Sequence, residues 1–329
     1  MKNTKKVQKR ISIRGVDHLK LFGFQDTHLR FLKKIFNGKI VARGTELVLE
    51  GEPPVVETLQ KIFYELIMMV ARDQEITEKD IETIIDLVEN KKSNKLQLTD
   101  EDTDSVILYT KDGFIKPKSR GQGAFCDSSK KHDIVFVIGP AGTGKTFLAV
   151  AMAVAALRDR EVDRIILTRP AVEAGESLGF LPGDFREKVD PYLRPLYDSL
   201  YHMIPADKLK RYLETRVIEI VPLAYMRGRT LNNSFVILDE AQNTSFNQMK
   251  MFLTRLGINS KAIITGDITQ IDLRDSKLSG LVQVQAVLSE IEGIEFIYLT
   301  ERDVVRHRLV RDIIKAYDAY ESMNNNNNQ

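Results

Sequence analysis

Apolar and polar positions divide the chain into two regimes. In the first ninety or so residues, the apolar side chains recur at helical or alternating spacing. Residues 29–36 are spaced as a short helix. Residues 39–50 hold two alternating runs around Arg43-Gly44, which predicts a hairpin. After Pro53-Pro54, Val56, Leu59, Ile62, Phe63, Leu66 and Ile67 fall on one face of a helix over 55–71. Another helix is predicted over 77–88, with Thr77 as its N-cap and Asp80 as a carboxylate version of the capping box. From Asp133 the pattern changes to short continuous apolar runs at 134–138, 165–167, 217–221, 235–238, 262–264 and 296–299. Runs without polar alternation suit strands covered on both faces. Their alternation with helical stretches predicts an α/β fold built on a parallel, doubly wound sheet.

This pattern divides the chain. Residues 1–25 are expected to form a basic arm and 26–90 a small α+β unit. Residues 91–130 read as a polar linker with one short strand at 106–109, and 131–322 as the α/β domain. The asparagine run at 324–328 marks 323–329 as a disordered tail. A chain of 329 residues is long enough for two cores. Charge adds one feature to this picture. The net value is only +2, yet the charges from Lys2 to Arg43 are opposed by Asp17 and Asp26 alone, and the following segment is acidic. Such a leader either meets a phosphate backbone or is simply solvated. No apolar run approaches the roughly 18 residues of a membrane span, and the N-terminus lacks the apolar stretch of a signal peptide. The expectation is a cytoplasmic protein with no membrane partner. Cys126 is the single cysteine, which excludes a disulfide within the chain and a multi-cysteine zinc site.

The strongest chemical signal is Gly139-Pro140-Ala141-Gly142-Thr143-Gly144-Lys145-Thr146, a full Walker A pattern between the apolar run 134–138 and an apolar helical stretch at 147–157. Glycines let such a loop wrap phosphates, and its N–H groups with the helix N-terminus supply donors. Lys145 would reach the β- and γ-phosphates and the Thr146 hydroxyl would ligate Mg²⁺. The second signal is 235–242, where a buried strand delivers Asp239 and Glu240 at its C-terminal end. Asp239 would hold Mg²⁺ and Glu240 would act as base toward the attacking water. The bland alternative is an acidic pair that only caps the next helix. The third is 262–270, where Gln270 or Asp267 would sense the γ-phosphate.

The order of these motifs resembles the PhoH family of ATPases, which are similar to the RecA-like motor domain of superfamily 1 helicases. The resemblance runs from about Pro117 to Tyr320. It is carried by Lys118-Ser-Arg-Gly121-Gln122, the GPAGTGKT run at 139–146, and Thr168-Arg-Pro-Ala-Val-Glu173-Ala-Gly175-Glu176. Further blocks are Leu178-Gly-Phe-Leu-Pro-Gly183-Asp184, Met226-Arg227-Gly228-Arg229-Thr230, DEAQN at 239–243, GDITQ at 266–270 and Asp303-Val-Val-Arg306-His307. The resemblance implies a RecA-like P-loop ATPase domain preceded by a small KH-like domain, although no clear GXXG loop is present. It implies ATP and Mg²⁺ as ligands, single-stranded RNA as partner, a homo-hexameric ring, and work beside an endoribonuclease that matures ribosomal RNA. Gln122 would match the glutamine that reads the adenine edge. Arg306 is the candidate γ-phosphate sensor, with Arg302 and Arg308 competing. Arg169 fits a contact either to a nucleic-acid backbone or to a phosphate. Arg227 and Arg229 suit a trans-acting arginine finger, an RNA phosphate or plain solvation. The alternative function is a nucleotide-switched RNA- or protein-binding module that hydrolyses slowly.

Overall fold

The computed structural model describes residues 6–89, 106–170, 185–273 and 279–305, together with Ile313. The first unit comprises β1 (Val7–Ser12), α1 (His18–Phe22), α2 (Thr27–Ile35), β2 (Lys39–Arg43), β3 (Glu46–Gly51), α3 (Pro53–Ala71) and α4 (Glu78–Glu89). Its strands pair antiparallel in the order β1-β3-β2, with Val48 opposite both Arg10 and Val41. One face packs under α3: Ile11, Ile40, Leu47 and Leu49 share a core with Leu59, Ile62, Phe63 and Leu66. Proline in the first turn of α3 suits a position whose N–H has no helical partner. The predicted cap of α4 is present: the Thr77 hydroxyl donates to Asp80 Oδ2 at 2.6 Å, and Asp80 Oδ2 also accepts from the Thr77 N–H.

Residues 6–22 correct the expectation of a basic arm. They form the edge strand β1 and helix α1, and Ile11, Ile13, Val16 and Leu21 are buried. The cations obscured an alternating pattern in which Lys9 runs along the sheet and donates to Gln60 Oε1. Such a stem covers apolar surface while its ammonium bonds at the periphery. The linker expectation is also corrected over its described part. Residues 106–131 hold a hairpin of β4 (Leu108–Thr110) and β5 (Gly113–Ile115), followed by α5 (Arg120–Lys131). Val106 and Tyr109 pack into the first core, whereas Ile107, Leu108, Phe125 and Cys126 pack into the second. The segment 106–109 therefore joins two cores, its outer residues Val106 and Tyr109 packing into the first and its inner pair Ile107 and Leu108 into the second. Residues 90–105 and the tail at 323–329 lie outside the described residues.

The second unit contains β6 (Ile134–Ile138), α6 (Lys145–Arg158), β7 (Arg164–Arg169), α7 (Phe185–Met203), α8 (Ala206–Glu214), β8 (Ile218–Pro222), β9 (Ser234–Leu238), α9 (Phe246–Leu253), β10 (Lys261–Gly266), α10 (Gly280–Leu288) and β11 (Ile294–Tyr298). All six strands are parallel, in the order β11-β6-β10-β9-β7-β8. Each predicted apolar run is one of these strands. Successive side chains serve opposite cores: Val135 and Val137 pack with α6, while Phe136 and Ile138 pack with Met249 and Phe252. This is the RecA-like α/β arrangement, with β10 between the strand that leads into the Walker loop and the strand that ends in Asp239. A crevice opens at the C-terminal ends of such strands, where open α/β sheets bind ligands.

The two units meet at the far end of α6. Arg158 donates to the carbonyls of Gly15, Tyr109 and Met203 at 3.3, 2.8 and 2.8 Å. Asp159 accepts from the Gly15 N–H at 2.7 Å, and Arg14 forks onto Glu161 at 2.9 and 3.0 Å.

Candidate nucleotide-binding site

The loop between β6 and α6 has the backbone its sequence requires. Gly142 and Gly144 hold φ at 84° and 80°, in the left-handed region that favours glycine. A Cβ at Gly139 would come within 2.6 Å of the Leu299 carbonyl, so the close approach of loop and β11 end also demands glycine. Lys145 Nζ donates to the carbonyls of Gly139 at 2.5 Å and Pro140 at 2.9 Å. The Thr143 hydroxyl is buried against the Pro140 carbonyl at 2.8 Å, which ties the turn together.

Strand β9 places Asp239 and Glu240 opposite this loop. Thr146 Oγ1 donates to Asp239 Oδ1 at 2.7 Å, and Thr265 Oγ1, from the end of β10, donates to the same oxygen at 2.6 Å. Asp239 is 2% exposed. Its second oxygen lies 3.1 Å from an Arg169 nitrogen without an aligned hydrogen bond. Glu240 turns the chain with φ 52° and ψ 40°, an uncommon conformation for a non-glycine residue and one that recurs at functional sites. Its Oε1 accepts from Arg169 at 2.8 Å and its Oε2 from Gln242 Nε2 at 2.6 Å. Gln242 also donates to the Gln270 carbonyl and accepts from the Asp267 N–H, both at 3.1 Å, so the third motif is bonded to the second. A cleft of about 280 Å³ opens among Lys145, Thr146, Arg169, Asp239, Glu240 and Gln270, walled on one side by Pro195 and Ser199 of α7.

Several expectations meet here and others do not. Ala141, Gly142, Gly144, Lys145 and Thr146 of the Walker loop converge with Asp239, Glu240 and Gln270 on one cleft, whereas Gly139, Pro140 and the buried Thr143 do not line it. Gln122 does not line it. It is 3% exposed behind the loop, with Nε2 donating to the Thr143 carbonyl at 2.9 Å and Oε1 accepting from the Lys118 N–H at 2.6 Å. Arg169 lines the cleft and is paired there with Asp239, Glu240 and the Tyr192 carbonyl. Arg229 is held by Glu219 at 3.0 Å, while Arg227 is exposed. Arg306, His307, Arg308 and the block 171–184 lie outside the described residues. Burial pushes the Cys126 thiol up to about 12, which removes it as a nucleophile.

Three contributors lie inside the motif blocks but were given no role of their own by the sequence. Thr265 binds Asp239 and Gln242 binds Glu240, contacts that the motif pattern does not specify. Asp303 accepts from Ser119 Oγ at 2.6 Å and from the N–H groups of Gly121 and Thr300 at 3.2 and 2.8 Å. Burial alone would raise its carboxyl, but these donors hold it below the ordinary aspartate value. The block 118–122 and Asp303, far apart in sequence, are thereby joined behind the Walker loop.

The residues present fit a magnesium ion beside phosphates. Asp239 Oδ2 and Asp267 Oδ2 are buried without a hydrogen-bond partner, and both residues line the cleft next to the Thr146 hydroxyl. Among the described residues no group of three or more His, Cys, Asp or Glu forms a metal site by itself. Magnesium is commonly bound by one or two carboxylates and completed by substrate phosphates and water.

A Walker loop after β6 and an acidic pair at the end of β9, two places along the same parallel sheet, define a P-loop nucleotide-binding protein of the NTPase class. The chain belongs to the PhoH family: the family profile described as "PhoH-like protein" matches residues 114–318. A PhoH-like protein of Bacillus subtilis is 50% identical over 91% of this chain and 93% of its own length. One from Mycobacterium tuberculosis H37Rv is 48% identical over 92% and 85%. Protein PhoH of Escherichia coli K12 is 44% identical over 62% of this chain and 58% of its own. Among solved structures, a Sulfolobus solfataricus SWI2/SNF2 ATPase core in complex with dsDNA aligns over 57% of this chain and 45% of that one. Its TM-score is 0.35 at 15% identity, a likeness too weak to argue from. No helix among the described residues is long and apolar enough to cross a membrane.

Proposed function

We propose that the chain binds ATP with Mg²⁺ in the cleft between the Walker loop and β9 and hydrolyses it, in a cycle coupled to single-stranded RNA. The observation that carries this reading is the meeting of Thr146 with Asp239 at 2.7 Å, with Glu240 beside them at the open end of the same cleft. In this account Lys145 leaves the Gly139 and Pro140 carbonyls for phosphate oxygens, exchanging one set of acceptors for a more strongly charged one. Thr146 and Asp239 hold the magnesium ion, which when bound supplies positive charge to the phosphate oxygens. Glu240 orients a water and takes its proton at a carboxylate oxygen. Gln242 connects that oxygen to the Gln270 carbonyl, so a change at the base reaches the loop after β10. ATP, among nucleotides, rests on the family resemblance. A glutamine amide has two N–H groups and two lone pairs, so Gln122 retains capacity for a base edge beyond its two present bonds.

RNA is supported by the family resemblance and by exposed cations on α2, Arg30, Lys33 and Lys34, which form a face without acidic residues of its own. The ring is proposed on the same resemblance. Among the described cleft residues the cations are Lys145 and Arg169, and Arg169 is already ion-paired, so a cation from a neighbouring copy would serve the γ-phosphate. That ion pair also favours a second reading, a nucleotide-switched binding module with slow turnover.

The test is steady-state ATP hydrolysis with and without single-stranded RNA, with Glu240→Gln as the blank. Stimulation by RNA supports the coupled ATPase. Slow turnover indifferent to RNA supports the switched module, and no turnover above the blank sinks hydrolysis. Mass measurement with ATP present tests the ring, which a monomer alone would refute.

A further inference from the structure

Among the described residues, the guanidinium of Arg169 is the one cation that touches both acidic residues of the site. It stands at the C-terminal end of β7, one strand from the β9 end that carries Asp239 and Glu240. Its side chain is 16% exposed, beside an Asp239 side chain at 3% and a Glu240 side chain at 39%. One terminal nitrogen lies 3.1 Å from Asp239 Oδ2 and 2.8 Å from Glu240 Oε1, and the other donates to the Tyr192 carbonyl at 2.7 Å. Nε is buried without a partner, so the fork is held entirely by its two ends.

We propose that Arg169 is a positioning residue for hydrolysis: it fixes Glu240 relative to helix α7, and it stands against the metal-binding side of Asp239 as a charge that magnesium must displace. The inference rests on the ATPase reading above and deepens it. Three features carry it. First, the planar guanidinium reaches two carboxylates and a carbonyl at once, which a lysine ammonium on a flexible stem does not reproduce. Second, Glu240 lies on a backbone turn in the left-handed region, so its carboxylate is set by its partners, Arg169 and Gln242, and not by a regular element. Third, Tyr192 belongs to α7, whose Pro195 and Ser199 also line the cleft. A shift of α7 therefore moves the fork and, through it, the base. The site as described holds both carboxylates against a fixed cation, a resting arrangement that relaxes when Arg169 gives up Asp239 and keeps Glu240.

The two effects of the same side chain oppose one another, and this gives the test. Removing a fixed positive charge about one ion-pair distance from the metal carboxylate tightens divalent metal binding, here by about tenfold. Misplacing the base lowers kcat, here by about a hundredfold. The experiment titrates Mn²⁺ by electron paramagnetic resonance, on the full chain alone and with ADP, alongside kcat and KM for ATP. It compares wild type with Arg169→Ala, Arg169→Gln and Arg169→Lys. Ala and Gln are expected to bind Mn²⁺ more tightly while kcat falls. Lys is expected to keep Mn²⁺ affinity near wild type, because the charge is retained, with kcat still low because the fork is lost. Should Ala fail to fold, Gln carries the comparison. Unchanged or weaker Mn²⁺ binding in Ala and Gln, or wild-type kcat in Lys, overturns the proposal. If the wild type does not turn over ATP at all, the hydrolysis reading fails, while the Mn²⁺ titration still decides whether Arg169 opposes the metal.

Discussion

Helix α6 carries charged side chains at both ends, and they are used in opposite ways. At its N-terminus Lys145 bonds two carbonyls of its own loop, and Thr146 faces Asp239, all at the edge of an open cleft. At its C-terminus Arg158 bonds three carbonyls from three separate segments, and Asp159 is closed under the Gly15 backbone. Burial pulls the Arg158 guanidinium below its ordinary range, and burial raises Asp159 against the opposing hydrogen bond from the Gly15 N–H and the nearby charge of Arg14. One end is therefore exchangeable, its cation resting on acceptors that a phosphate can replace. The other end is fixed, its cation closing a junction between two cores. Both cations are partly exposed, and Arg158 lines a cavity of about 670 Å³ at the junction, so exposure does not separate them. What does is that Lys145 bonds only its own loop, whereas Arg158 ties three distant segments together. The helix between them is almost wholly buried from Leu148 to Ala156 and forms a rigid connection between site and junction.

The largest expected effect falls at the exchangeable end. Lys145→Ala should lower kcat for ATP by about 10²–10³-fold and weaken nucleotide binding, without changing the thermal unfolding of the protein. Unfolding and turnover measured on one preparation check this separation. At the fixed end the pattern should invert. Arg158→Ala leaves three carbonyls without their charged donor and should destabilise the fold by about 3 kcal/mol, read by urea unfolding. Equal effects of the two substitutions on stability would erase the distinction drawn here.

A subtler case is Asp303, behind the Walker loop. Its carboxyl is lower in the folded protein than the ordinary aspartate value of 3.8. Its contribution is therefore present above that value and lost as pH falls through the lower folded value. Asp303→Asn should flatten this acid limb of the unfolding-midpoint profile, and an unchanged limb would show that its bonds to Ser119, Gly121 and Thr300 carry no net stabilisation. The smallest effect is expected on the outer face of the first sheet. Arg10 and Glu46 approach at 3.8 Å with side chains 60% and 53% exposed. Arg10→Ala should change stability by no more than about 0.5 kcal/mol in a urea melt.

Much of this was legible in the sequence, for a physical reason. The six parallel strands are continuous apolar runs, so their faces needed no partner to be recognised. The phosphate loop is a local motif, and its glycines stand where φ is positive or a neighbour is too close for a side chain. What escaped the sequence depends on contacts between distant segments. Gln122 bonds a carbonyl 21 residues away and Asp303 a hydroxyl 184 residues away. The ion pair of Arg169 with the acidic pair was not legible because nothing local shows that β7 lies next to β9. The edge strand β1 was hidden for a different reason, since a cation-rich stretch with few large apolar residues reads as solvated until its inward positions find a core.

The central claim is that the Walker loop and Glu240 form one hydrolytic site. The most direct test follows bound radiolabelled ATP in a single turnover on wild-type protein and on Glu240→Gln. The account predicts that both bind ATP, that the wild type converts it to ADP and phosphate, and that Glu240→Gln retains it intact, slower by about 10²–10⁴-fold. Conversion at the wild-type rate in Glu240→Gln would contradict the assignment of the base and, with it, the mechanism built around that cleft.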